Sequence, residues 1–585
     1  GGTRGDAPSP PRVAPPPPPP TPPTPTLVVE TPNPAYSAHW LWSGANLAQQ
    51  QGLTGAGIRI GVIDTGVNRN HPALSGRVLA NLNYVDPTTN NLAVDDVVGH
   101  GTAVAQIIAG KPFGQWPGGI APGAQILSAR IINDKRPDDD GSGQGNEVSG
   151  ALGLEPIHRE LAARGMRIMN NSWGGLYWTN PDATNPIAQE YRDFIHNRDG
   201  LVVFSTGNSG FADPSSTAAL PSQAGPGGSR PAADPERGWL AVAAPGAPNR
   251  VLLADYSNAC GVAMHYCLAA PGTVVVTGTN DPANRPEYWR WNGTSFSAPI
   301  VSGAAALVWE AFPYFNNDLV RQTLLGTAID IGAPGVDPVF GYGALDIASA
   351  VRGPARFDWG DVVADFDDAV SEWRNPISGA GGLVKRGSGT LVLRESGTFT
   401  GDTRVEGGTL RLEGNHSWTT DVTVASGGRL GGDGRVDSIV NDGTVLSDGG
   451  AFGTRGDYRQ SAGGRLAMLL GNEFVVAGTA FLDGDLQVLG WRSGYTTTSA
   501  VTVLAAGDIV GRFATLSTAG NIFLQGALDY TASQVVLNIT RMGVASAAEC
   551  RAMAMPSPQK LGITASWSPS RWIRGDGAAA RWTKP

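Results

Sequence analysis

The sequence predicts an α/β chain: a parallel sheet with flanking helices, followed by a right-handed β-helix or similar β-solenoid. Three observations predict it. Between about Ala38 and Val351, short apolar strand patterns alternate with helix-like segments, as in a parallel sheet covered by helices on both faces. After Gly381 helical periodicity vanishes. A Gly-Thr-Leu triplet at Gly389 and Gly408 then returns in looser copies at Gly428, Gly443 and Gly464, at intervals of 19, 20, 15 and 21 residues. Glycine-marked strands at about 20-residue spacing suit stacked coils, with an irregular β-sandwich as the other architecture they fit. Finally, residues 1–34 hold 14 of the 43 prolines, a stretch without backbone donors or core-forming residues that predicts an extended tether.

Taken in order, 1–37 is expected as a Pro-rich disordered tether and 38–352 as the α/β domain. Ile58 to Ile63 is a short buried-strand pattern ending at Asp64-Thr65-Gly66. Gly101 to Ala109 reads as a helix of small and apolar residues that Gly110 ends. Gln125 to Ile132, Ile168 to Asn171 and Leu201 to Ser205 read as strands. Glu147 to Arg164 has helical periodicity that Pro156 would kink. Ser297 to Phe312 is a mostly apolar, Ala/Val-rich helix, which argues burial. Residues 353–380 are expected as an acidic, aromatic linker, 381–540 as the solenoid stalk, and 541–585 as an irregular or disordered tail.

With 585 residues and 41% hydrophobic residues the chain can bury a large core, which excludes wholesale disorder. A net charge of −9 argues against a nucleic-acid partner. No run approaches the roughly 18 apolar residues of a membrane helix. The chain starts at Gly1 without a hydrophobic leader, as expected of a processed or trimmed product. Cys260 and Cys267, seven apart, can close one small loop, and a disulfide there suits an extracytoplasmic setting; three unpaired thiols, counting Cys550, is the other possibility.

Three segments carry chemistry: Val62-Ile63-Asp64-Thr65-Gly66, Gly99-His100-Gly101-Thr102-Ala103-Val104-Ala105, and Asn292-Gly293-Thr294-Ser295-Phe296-Ser297-Ala298-Pro299. An Asp ending a buried strand can hold one face of an imidazole. A His opening a helix between glycines can present its ring to a cleft. A Ser at a helix start lies near free backbone N–H groups that favour developing anionic charge. Together they supply a nucleophile, its base and the base's orienter.

On these motifs residues 38–351 resemble the subtilisin-like serine proteases, whose chain order is Asp, His, Ser. The resemblance implies that Asp64 orients His100, that His100 takes the proton of Ser295, and that Ser295 attacks the scissile carbonyl. Ser205-Thr206-Gly207-Asn208-Ser209-Gly210 matches the segment carrying the oxyanion-hole Asn, here Asn208. Asn171-Ser172-Trp173-Gly174-Gly175 matches the segment that pairs with extended substrate. Substrate contacts are therefore expected at Ser172, Trp173, Gly174 and Gly207. They are also expected at Asp140, Gly141 and Ser142, in an acidic loop matching the S2/S4 side of the cleft, where Asp138 to Asp140 either favour basic residues upstream of the cut or form a solvated acid run partly neutralised by Lys135 and Arg136. Gly110 to Ile120 replaces a loop that often binds calcium and has no Asp, Glu or Asn, so no metal site is assigned and no cofactor is expected, calcium at some other site being the open alternative.

Residues 382–414 resemble the autotransporter-associated β-strand repeat of Gram-negative bacteria, and a subtilisin-like domain followed by it resembles an autotransporter protease passenger. This implies an extracellular or cell-surface location, outer-membrane association through a translocator barrel or a lipid anchor next to Gly1-Gly2, and protein substrates from the bacterial surface or the host. The residues after Thr540 are too few for a barrel. The competing expectation is an adhesin with a dormant protease domain, suggested by Arg-Gly-Asp at Arg4, Arg455 and Arg574. A protease that cuts only itself is a third.

Overall fold

The computed structural model describes residues 25–28, 34–138, 140–246, 252–492, 499–520 and 522–544. Most of the tether, most of the tail, Asp139, Cys550 and the Arg-Gly-Asp copies at Arg4 and Arg574 lie outside these residues.

The first domain is built on seven parallel strands: β1 (Arg59–Asp64), β2 (Val78–Asn83), β3 (Gln125–Arg130), β4 (Met166–Asn171), β5 (Leu201–Ser205), β6 (Trp239–Ala243) and β7 (Cys267–Ala269). Their order across the sheet is β7-β6-β5-β4-β1-β3-β2. Every residue of β5 and β6 is buried, as expected for strands covered on both faces. One face packs on α1 (His100–Ala109), α4 (Thr294–Ala311) and α5 (Asn317–Gly326). The other packs on α2 (Glu155–Ala163) and α3 (Thr184–Arg192).

Three elements differ from expectation. The stretch expected as a disordered tether is ordered in part: Thr26–Val28 is a strand that pairs antiparallel with Tyr288 to Arg290, and Pro34–Ser37 forms a 3-10 turn. The helix expected over Glu147 to Arg164 begins only at Glu155, because Pro156 takes a place in its first turn, where a missing N–H costs nothing. The carboxylate of buried Glu190 then accepts the free amides of Leu152, Leu154 and Glu155. Residues 353–380 are not a linker. They form the first coil of the solenoid, with Val362–Asp365 and Val370–Trp373 pairing in parallel with the next coil.

The solenoid sets two mainly parallel sheets side by side, and each coil contributes a strand to both. The glycine-marked repeats become consecutive neighbours in one sheet. Leu391, Leu410, Leu430, Val445, Leu466 and Leu486 pair in register from coil to coil, and all are buried. Strands Ala500–Gly511, Ile522–Tyr530 and Gln534–Val544 end the other sheet in antiparallel pairings.

The two parts share one hydrophobic core. Tyr314, between α4 and α5, stacks on Phe366 of the first coil at 4.3 Å. Its hydroxyl accepts from Trp373 Nε1 (2.9 Å) and pairs with Ser371 Oγ (2.8 Å). Asn375 closes the seam by donating to the Ser349 and Gly353 carbonyls.

Candidate active site

The site lies where the carboxyl ends of β1, β4 and β5 meet the N-termini of α1 and α4, the position ligands occupy in parallel α/β sheets. Asp64 ends β1 with no exposed surface. Its Oδ1 accepts from the Thr65 amide (2.7 Å) and holds His100 Nδ1 at 2.7 Å. Its Oδ2 is buried and has no hydrogen-bond partner among the described residues, so the carboxylate's charge acts chiefly on the imidazole. Burial disfavours the His100 cation, but the charge and hydrogen bond of Asp64 outweigh it, and the pKa lies above the ordinary 6.5. The ring packs among Phe296 (5.6 Å) and Trp291 (6.1 Å).

Ser295 sits in the first turn of α4. A helical residue four positions on would normally bond its carbonyl, but that residue is Pro299, which has no N–H. The free carbonyl instead accepts from Ser172 Oγ at 2.7 Å. Ser172 Oγ also accepts from Asn170 Nδ2, and Asn170 Oδ1 accepts from Ser302 Oγ, so a buried polar chain stitches α4 to β4. The Ser295 hydroxyl donates to the Ser172 carbonyl (3.2 Å), and among the described residues no hydrogen bond joins it to His100. Such bonds commonly tighten only when substrate fills the site.

Asn208 Oδ1 accepts from both the amide and the hydroxyl of Thr294 (2.8 Å each). This turns Nδ2 the other way, toward Gly293 and the Ser295 amide. A Cβ on Gly293 would stand 3.3 Å from Asn208 Nδ2, 3.7 Å from Asn208 Oδ1 and 3.7 Å from the Ser295 nitrogen, with Oδ1 already taken by the two Thr294 bonds. Two donors thus converge on a space kept open by a glycine whose φ of +154° also disfavours any other residue.

The other expected contacts are distributed as follows. Trp173 packs edge-on against Phe204 and Gly174 is exposed; the Trp173–Gly174 backbone makes no hydrogen bond among the described residues, leaving it open to an extended peptide. The acidic loop comes alongside, its Asn146–Glu147 strand pairing in parallel with Leu176–Tyr177. Asp140, however, turns into its own loop: Oδ1 accepts from the Ser142 amide, and Oδ2 from the Glu147 amide and the Tyr177 hydroxyl. The Ser142 bonds foremost hold its pKa down to about 2. Asp138 remains exposed. Cys260 and Cys267 form a disulfide, with Cα atoms 5.8 Å apart. In the segment Gly110–Ile120, buried Trp116 donates Nε1 to the Val275 carbonyl and stacks on His39.

Sequence reasoning missed Asp96. Buried, it accepts from Thr65 Oγ1, the Gly99 amide, and the amide and hydroxyl of Thr102, tying the end of β1 to the start of α1 and so Asp64 to His100. The only sequence signal was an Asp four residues before the His.

A buried carboxylate on an imidazole, a helix-start serine and a paired set of anion donors define a serine peptidase site, and the chain belongs to the subtilase family, which it matches over residues 55–343. Residues 383–412 match the passenger-associated-transport-repeat. The chain is similar to the Neisserial autotransporter lipoprotein NalP of Neisseria meningitidis, 32% identical over 558 residues covering 79% of this chain and 49% of that protein. It is also similar to an extracellular serine protease of Serratia marcescens, 26% identical, covering 85% and 56%. It thus spans about half the length of these two relatives. Subtilisin Savinase of Lederbergia lenta is 30% identical, covering 53% of this chain and 96% of that protein.

Proposed function

We propose that the chain is a secreted or surface-displayed serine endopeptidase of a Gram-negative bacterium, cleaving protein substrates through an acyl-enzyme. The observation that carries this is the convergence of Asn208 Nδ2 and the Ser295 amide on one open space beside a serine backed by the Asp64–His100 pair. An extended substrate pairs with the open Trp173–Gly174 backbone, which sets its carbonyl over Ser295. As Ser295 Oγ attacks, His100 Nε2 takes its proton, and Asp64 stabilises the imidazolium. The carbonyl oxygen becomes an oxyanion held by Asn208 and the Ser295 amide. His100 returns the proton to the leaving amine, and water, activated by the same imidazole, releases the acyl group.

Similarity to an autotransporter lipoprotein and an extracellular serine protease supports an extracellular setting, and the substrates proposed there are other surface or secreted proteins and the chain itself. The adhesin reading gains nothing from the described Arg-Gly-Asp. Arg455 is bonded to Asp437, Ser417 and the Trp418 carbonyl, and Asp457 Oδ1 accepts from the Thr479 amide, so the triplet, though its two charged residues are exposed, is held by contacts to neighbouring coils rather than presented on a free loop.

The test is incubation of the purified chain with a fluorophosphonate probe and with casein, beside Ser295→Ala. Labelling and cleavage that vanish in the variant are expected. A folded wild-type chain that neither labels nor cleaves would sink the proposal, and a chain that changes only its own banding would confine it to self-cleavage.

A further inference from the structure

The loop carrying Asn208 is held by the Gly207 amide's bond to Thr294 Oγ1, by the Gly210 amide's bond to the Tyr256 carbonyl and, over most of its length, by the side chain of Asn258. Asn258, buried to 3% exposure, lies on the return segment from β6. Its Oδ1 accepts from the Ser209 amide and the Phe211 amide, both at 3.0 Å. Its Nδ2 donates to the Thr206 carbonyl at 3.1 Å. Its own amide donates to the Gly207 carbonyl (2.9 Å), and its own carbonyl accepts from Thr206 Oγ1 (2.9 Å). One asparagine therefore takes up polar groups of Thr206, Gly207, Ser209 and Phe211, the residues on either side of Asn208. Gly207 makes the fit possible: at its φ of +114°, a Cβ would stand 2.5 Å from Asn258 Nδ2. The segment behind Asn258 is itself anchored. The Ala259 amide donates to the Phe211 carbonyl, the Cys260 amide to the Val339 carbonyl, and Cys260 is bonded to Cys267.

We infer that Asn258 is a positioning residue of the oxyanion hole: it sets the height and direction of the Asn208 loop and acts on turnover through Asn208. The inference rests on the catalytic reading above. Asn258 touches neither Ser295 nor the space where the oxyanion forms. Its loss lets the loop relax by fractions of an ångström, which a ground-state peptide tolerates and a developing oxyanion does not. A preorganised donor owes its effect to being in place before charge appears.

The experiment uses the full chain as Asn258→Ala, Asn258→Asp, Asn208→Ala and the Asn208→Ala/Asn258→Ala double variant. Active sites are counted by fluorophosphonate burst, and kcat per labelled site and KM are read on a peptide that the wild type cleaves. Asn258→Ala is expected to lower kcat per site about 10- to 100-fold, with KM within about twofold and affinity for a peptide aldehyde falling in step with kcat. Asn258→Asp keeps both acceptor bonds but sets a carboxylate oxygen against the Thr206 carbonyl, so it also loses turnover. In the Asn208→Ala background, Asn258→Ala is expected to cost little more, because the group it positions is gone. The inference is overturned if kcat per labelled site is unchanged, if the cost persists in full without Asn208, or if neither Asn258 variant yields labelled sites, which would make Asn258 a support of the fold. A wild-type chain that fails to label is a different result and fails the catalytic reading itself.

Discussion

Thr294 donates both its amide and its hydroxyl to one oxygen of Asn208, at 2.8 Å each. A residue next to the nucleophile thereby decides which way the Asn208 amide faces. Asn208→Ala should lower kcat about 10²- to 10³-fold with little change in KM, as loss of one oxyanion donor does elsewhere. Thr294→Val keeps the amide bond and loses the hydroxyl, so its kcat should lie between those of wild type and Asn208→Ala. A Thr294→Val chain slower than Asn208→Ala would show that Thr294 has another role.

His100 must be neutral to take a proton, and its pKa lies above 6.5 through Asp64. The rise of kcat/KM with pH should therefore centre above 6.5. Asp64→Asn removes the charge that favours the imidazolium, so its residual activity should be far lower and its limb should shift to lower pH. A limb centred below 6.5 in the wild type would contradict the geometry.

Three other histidines are held neutral by burial, which lowers His39, His71 and His158 to about 4 against 6.5 when unfolded. His71 shows why: Nδ1 accepts from the Ala73 amide and Nε2 bonds the Gly278 carbonyl, leaving no room for a second proton. Between pH 6.5 and 4 the unfolded chain binds protons that the folded chain refuses. Stability from these groups is full above 6.5 and falls as pH falls toward 4, by on the order of a few kcal/mol per histidine. Chemical denaturation at pH 7.5 and pH 5 should show a marked loss, smaller in His158→Gln. Equal midpoints would refute it.

Tyr314 and Trp373 join the catalytic domain to the first coil. Tyr314→Phe leaves the buried Trp373 N–H without its acceptor and should cost about 1–3 kcal/mol. Trp373→Ala should cost about 3–5 kcal/mol. Because one core runs through both parts, heat inactivation and loss of solenoid structure should shift together. Separate transitions in the wild type would show that the seam does not couple them.

Asp138 and Asp140 stand in one acidic run but should behave differently. Asp138→Asn changes only exposed charge, so peptides with basic residues upstream of the cut should be cleaved about two- to fivefold more slowly, and neutral ones unchanged. Asp140→Asn weakens the loop's own bonding and should slow both. A loss in Asp138→Asn that is equal on neutral peptides would remove the run from substrate selection.

The residues to which the proposed function assigns the chemistry were readable because each sits in a short contiguous motif whose local structure, a strand end or helix start, is nearly determined by the motif itself. Asp96 and Asn258 were not readable. Their partners Thr65 and Phe211 lie 31 and 47 positions away, and nothing local marks one Asp or Asn as the one that folding brings there. The coil repeat was readable as a period because one buried aliphatic residue per coil, leucine in all but the Val445 coil of the marked set, must recur. Its first turn was not, since Val362–Asp365 and Val370–Trp373 carry no Gly-Thr-Leu mark and Trp373 packs against Phe315 of the neighbouring domain.

The in-register solenoid makes reach a matter of counting. Eight strands stack in one of its sheets, and at about 4.8 Å per neighbour they span about 34 Å. Twenty residues spent on one more coil add only about 5 Å, where the same twenty as an open chain could stretch about 66 Å. What the coil gives instead is direction. One hydrophobic core and an unbroken ladder of paired strands hold the cleft at a set distance and heading relative to the last coil.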